Sequence, residues 1–191
     1  MKSRYVSITP PFSVVAGSIP RSIQVTITSM PLDPSRTGEV YWAGAAQSIP
    51  NAPNGMLEGA GLLCEATPSN AQAWPIETLH LFGAPIVPGA TYEVRMCDAT
   101  GATCSDPLTV ATSKWGDVVA PFGGEAQPDF GDIGGIVDKF KILASAPDIV
   151  RTDLRGQSGR AVDATADFAD IGADVDAFKG FAYPFTVPAC P

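Results

Sequence analysis

The chain carries one short phrase twice. Residues 129–141 read DFGDIGGIVDKFK and residues 167–179 read DFADIGADVDAFK, nine identities in thirteen positions at a spacing of thirty-eight. Such self-similarity marks a duplicated structural unit whose copies bury their apolar sides together. Each copy opens on two acids three residues apart, Asp129 and Asp132, then Asp167 and Asp170. In the first, Ile133, Ile136, Val137 and Phe140 fall at i, i+3, i+4 and i+7, one face of a helix. In the second, Ile171, Val175 and Phe178 repeat the stripe, and Asp174 stands where the first copy has Ile136. Between them, residues 147–154 (PDIVRTDL) supply a further helical turn with Ile149, Val150 and Leu154 inward. Helices this short do not stand alone in water, so the pair is expected to pack together.

Residues 1–117 have a different period. Ser22–Met30 alternates strictly, Ile23, Val25 and Ile27 against Gln24, Thr26 and Thr28. Further runs at 5–9, 39–42, 61–66, 77–82, 91–97 and 108–115 are separated by Pro, Gly, Asn and Ser clusters. Seven short strands without an intervening helix predict a β-sandwich of immunoglobulin- or fibronectin-III-like type. Residues 43–60, rich in Ala, Gly, Pro and Asn, read as an irregular surface loop, and 118–124 as a linker. The fold class expected is mainly β plus a small α part: a sandwich over 1–117, a helical pair over 125–182 and a tail over 183–191.

Charge narrows the function classes. The chain has 191 residues, 20 acids, 12 bases and a net charge of −8. Residues 125–191 hold 11 of the acids and 6 of the bases. An acidic surface repels phosphate backbones, which argues against nucleic acid. No apolar run reaches the roughly 18 residues of a membrane span. His80 lies in a strand pattern, and there is no nucleophile elbow or phosphate-binding loop, so no enzymatic constellation is legible. The four cysteines, Cys64, Cys97, Cys104 and Cys190, allow three pairings. Cys97 and Cys104 bracket a turn-like DATGAT, which favours that pair and leaves Cys64 to fasten Cys190. Four free thiols in a reducing compartment are the alternative.

The acids also fit an EF-hand-type count. With Asp170 at position 12, Asp167 is at 9, Thr165 at 7 and Asp163 at 5; with Asp132 at 12, Asp129 is at 9, Gln127 at 7 and Glu125 at 5. Positions 1 and 3 are Gly159 and Ala161, or Pro121 and Gly123, none a carboxylate. The same aspartates suit helix caps, so both roles stand open. Two loop–helix units, Asp at position 12 followed by Ile and a late lysine in each helix, resemble the paired repeats of type I dockerins. The resemblance covers about residues 120–182. It implies two antiparallel helices, Ca²⁺ in the preceding loops, and attachment of a secreted multi-module protein to a protein partner.

The expectation is therefore a non-catalytic extracellular or cell-surface module for attachment or assembly, calcium-stiffened, acting through a protein partner or self-assembly. The alternative is a carbohydrate-binding module of a larger secreted enzyme, stacking polysaccharide on Trp74, with Trp42 and Trp115 in the core.

Overall fold

The computed structural model describes residues 2–9, 19–74, 77–124, 127–157 and 161–190. The alternating runs become strands β1 (Tyr5–Ile8), β2 (Ser22–Ser29), β3 (Val40–Pro50), β4 (Met56–Leu63), β5 (Leu79–Phe82), β6 (Thr91–Cys97) and β7 (Leu108–Ala111). They bond neighbour to neighbour in one sheet of order β1-β5-β4-β3-β2-β6-β7, antiparallel except where β4 meets β5. Ser113 N–H, beyond β7, donates to Lys2 O, before β1, so the two edges nearly close on each other. The chain is mainly β, as its periodicity predicts. A single curved sheet around one core stands in place of the two facing layers expected.

The β2 alternation sets that core. Ile23, Val25 and Ile27 are fully buried and meet Leu79, Leu81, Ile86, Val87 and Tyr92. A buried side chain of this size stabilises by about 1.5–3 kcal/mol, so these positions dominate the β part. The Tyr92 hydroxyl is satisfied on both sides, donating to Pro85 O and accepting from Val87 N–H, each at 2.9 Å.

Residues 43–60 are not the irregular loop expected: they form most of the β3–β4 hairpin, turning at 51–55. Small residues hide this pairing from a pattern search, and the pairing needs them. A Cβ on Gly59 would lie 2.4 Å from Ile49 Cδ1, inside any tolerable contact.

The repeat forms α1 (Phe130–Phe140) and α3 (Phe168–Phe178), with a one-turn α2 (Ile149–Thr152) between them. Residues 118–124, read as a linker, wrap the start of α1, with Val118 and the preceding Asp117 buried. Helix and sheet residues also share a cluster in which Tyr5 and Ile49 pack against Ile149 and Val150. Cys97–Cys104 and Cys64–Cys190 are both bonded, in the pairing favoured by spacing. The segment before Cys190 lies back over the sheet, where Tyr183 and Val187 pack on its core. Arg36 holds that segment by donating to Val187 O and Pro188 O, while Glu39 grips its guanidinium at 2.5 Å.

Candidate functional site

The two helix starts are built alike, and their acids do the building. Asp129 and Asp132 form a reciprocal cap: the Asp129 carboxylate accepts from Gly131 N–H (2.6 Å), and Asp132 Oδ2 accepts from Asp129 N–H (2.8 Å). Asp167 and Asp170 repeat it, with Ala169 N–H at 2.6 Å and Asp167 N–H at 2.9 Å. The second oxygen of each inner acid reaches back to the segment before it. Asp132 Oδ1 accepts from Val118 and Val119 N–H at 2.8 and 2.7 Å; Asp170 Oδ1 accepts from Leu154 and Arg155 N–H at 2.7 and 2.9 Å. Each inner carboxylate therefore satisfies three backbone donors while itself buried. Burial raises the Asp170 carboxyl to about 6 against the lowering by those three donors.

One step further back, the symmetry persists. Asp117 accepts from Gly123 N–H and Asp153 from Ala164 N–H, both at 2.7 Å. These two residues belong to the duplicated unit but escape a fixed-period search. Asp117 precedes Asp132 by fifteen residues, whereas Asp153 precedes Asp170 by seventeen. The sheet ties down the second member. Tyr5 Oη donates to Asp153 Oδ2 (2.7 Å), and Arg4 Nη1 donates to Leu154 O (2.6 Å). Desolvation pushes the Asp153 carboxyl up to about 7, outweighing the Tyr5 hydrogen bond.

This use of the acids bears on the fit to calcium. Asp132 and Asp170 spend both oxygens on backbone N–H groups, and Asp129 and Asp167 each give one oxygen to the cap. Asp163 is exposed and turns to its own loop, accepting from Thr165 N–H at 3.0 Å and Gln157 N–H at 3.2 Å. Thr165 is exposed, Gln127 donates its amide to Asp129, and Glu125 lies outside the described residues. Among the described residues no group of three or more His, Cys, Asp or Glu side chains converges on a point that could hold a metal. Asp129, Asp132, Asp163, Asp167 and Asp170 of the EF-hand-type count are therefore not gathered into such a group.

The helix faces are also reassigned. The buried stripes are Asp132, Gly135, Ile136 and Lys139 in α1, and Asp170, Ala173, Asp174 and Ala177 in α3. The caps fix this rotation, because both inner acids must face inward to reach their backbone donors. Of the expected apolar stripe, Ile136 stays buried, Ile133, Val137, Ile171 and Val175 are half-buried, and Phe140 and Phe178 are turned outward. Phe130 and Phe168 are 74% and 75% exposed, and Phe140 and Phe178 about 40%. Phe130 packs on Phe178 (centroids 4.5 Å) and Phe140 on Phe168 (4.8 Å), each helix start against the other's end. The result is an antiparallel pair presenting four phenylalanines to solvent, flanked by half-buried Ile133, Val137, Ile171 and Val175.

The inward Lys139 is held from the sheet. Its ammonium donates to Asn51 Oδ1 at 2.6 Å, the same oxygen accepts from Ile149 N–H at 2.8 Å, and Asn51 Nδ2 donates to Asp148 at 2.9 Å. Asn51, at the β3–β4 turn, thus locks the end of α1 to the start of α2.

Trp74 is not exposed as the carbohydrate alternative requires. It is 6% accessible and its indole N–H donates to Arg21 O at 2.9 Å. Trp42 and Trp115 are buried as expected. His80 lies inside the β1–β5 register opposite Ser7, whose hydroxyl meets its Nδ1 at 2.6 Å. Burial and the neighbouring Lys2 lower its pKa to about 4, so it is neutral at pH 7 and a weak base. No helix among the described residues is long and apolar enough to cross a membrane. Searches of protein-family models, curated proteins and solved structures find no match to this chain.

Proposed function

We propose that the chain is a non-catalytic attachment module, working outside the cell or at its surface, that docks a protein partner on the outer face of α1 and α3. The observation that carries this is the aromatic face: four phenylalanines paired across two helices, with Phe130 and Phe168 about three-quarters exposed. Exposed aromatic clusters of this kind mark interaction surfaces and supply binding anchors. The two disulfides favour an oxidising compartment. The resemblance to dockerin repeats points the same way, toward attachment through a duplicated helical pair. The buried state of all three tryptophans weighs against the polysaccharide alternative.

The test is capture from the secreted proteins of the source organism on immobilised full-length protein, with Phe130→Ala/Phe168→Ala beside it. The wild type is expected to retain a defined partner that the double variant loses, with unchanged far-UV circular dichroism. Equal retention by both proteins sinks the proposal. So does a wild type that retains nothing and sediments as a monomer across a concentration series.

A further inference from the structure

We propose that one calcium-class divalent cation binds between residues 116–117, the turn before α1 and helix α3, held by the carboxylates of Asp117 and Asp174 and the amide oxygen of Gln127. This site shares only Gln127 with the EF-hand-type count and is independent of the docking face. Asp174 has no solvent exposure, and neither of its oxygens has a hydrogen-bond partner. Asp117 is equally buried; one of its oxygens accepts from Gly123 N–H and the other has no partner. Gln127 Oε1 is buried and unpartnered as well, while its amide nitrogen serves Asp129. Four acceptor oxygens are thus withdrawn from water with no donor among them. An uncompensated buried carboxylate costs several kcal/mol, which a fold sustains when a counter-charge completes the site.

Backbone geometry brings these groups together. A Cβ on Gly116, which sits at φ +83°, would lie 2.5 Å from Asp174 Oδ1 and 3.1 Å from Pro128 Cγ. Asp174 therefore lies directly over the peptide that leads into Asp117, with the Gln127–Pro128 turn alongside. Glycine is required at 116 by conformation and by the space the carboxylate occupies. The duplication supplies a separate observation. Position 174 corresponds to Ile136, so one copy kept an apolar residue where the other has a buried acid. Two carboxylates and an amide oxygen are hard, irregularly placed ligands, which suits Ca²⁺ completed by water or backbone oxygens better than the strict octahedron of Mg²⁺. With two carboxylates the affinity belongs to the weak class of extracellular modules, about 0.1–1 mM.

The experiment is a calcium titration of the full chain after EDTA treatment. It is followed by thermal melting and by Tb³⁺ luminescence, which Trp115, one residue from Gly116, is placed to sensitise. The wild type is expected to melt several degrees higher in calcium, with one Tb³⁺ bound per chain and displaced by Ca²⁺. Asp174→Asn, which keeps the shape, and Asp174→Ile, which copies the other repeat, are expected to abolish both signals. Asp174→Ile should also melt above the calcium-free wild type, whereas Asp163→Ala should leave the response intact. A calcium shift that survives Asp174→Asn and disappears in Asp163→Ala overturns the proposal in favour of the loop before α3. A melting temperature indifferent to calcium that climbs only on acidification overturns it in favour of two carboxyls sharing a proton.

Discussion

Asn51 shows how much can hang on one side chain. It satisfies Lys139, Ile149 and Asp148 together, from a turn whose Pro-Asn composition says only that the chain reverses. Asn51→Ala is expected to cost about 3 kcal/mol in chemical denaturation, because it strands a buried ammonium as well as deleting hydrogen bonds. Adding Lys139→Ala should restore part of that loss, since the equivalent residue in α3 is already Ala177. Two buried titratable groups pull pH dependence in opposite directions. Asp153, raised to about 7, holds its proton in the folded chain well above the unfolded value near 3.9. Its contribution is present at low pH and lost as pH rises through 7, about 1.4 kcal/mol between pH 6 and 8. Asp153→Asn keeps an oxygen for Tyr5 and Ala164 and should flatten that decline in denaturation midpoints. His80, lowered to about 4, must stay neutral, so its contribution is complete above pH 6.5 and lost as pH falls toward 4. His80→Gln should remove that acid-side loss. Neither shift is visible in the sequence, since each comes from packing partners distant along the chain.

At the level of elements, the sequence reveals period far better than facing. The alternation of β2 and the boundaries of β6 follow from side chains that differ strongly between faces. The β3–β4 hairpin is hidden because Ala and Gly fill the positions where contrast would appear. The two helices were legible as helices and as a repeat, but their rotation was not. An apolar stripe indicates the inner face only when burial of apolar area decides orientation. Here two carboxylates, each gathering three backbone N–H groups, decide it, and the phenylalanines end outward while Ile136 stays in the core. Asp170→Ala should therefore destabilise by about 2–3 kcal/mol, well beyond an ordinary cap at about 1 kcal/mol. Phe168→Ala, at the adjacent exposed helix start, should cost less than about 1 kcal/mol. A denaturation series that reversed this order would contradict the assigned rotation.

Over the whole molecule, the Cys64–Cys190 bond spans 126 residues and closes the largest loop in the chain. In the chain-entropy account such a loop contributes about 4.5–5 kcal/mol, against roughly 2.5 for the seven-residue separation of Cys97 and Cys104. Cys64→Ser/Cys190→Ser is expected to lower the melting temperature by 10 °C or more and to open the Tyr183–Val187 segment to limited proteolysis. Loss of the Cys97–Cys104 bond should leave that segment protected. Spacing alone suggested both pairings, because a turn-like insert and an even count restrict the choices. The Arg36 clasp that seats the same segment had no signature at all. The Tyr5–Asp153 and Arg4–Leu154 bonds set a limit on modularity. Cut near residue 124 and grafted onto another carrier, the helical pair would arrive with an unanswered aspartate, a bare carbonyl and a lysine without its asparagine. The duplicated unit is an appendage in sequence but a graft that depends on its rootstock, and it cannot be shuffled between proteins as a free cassette.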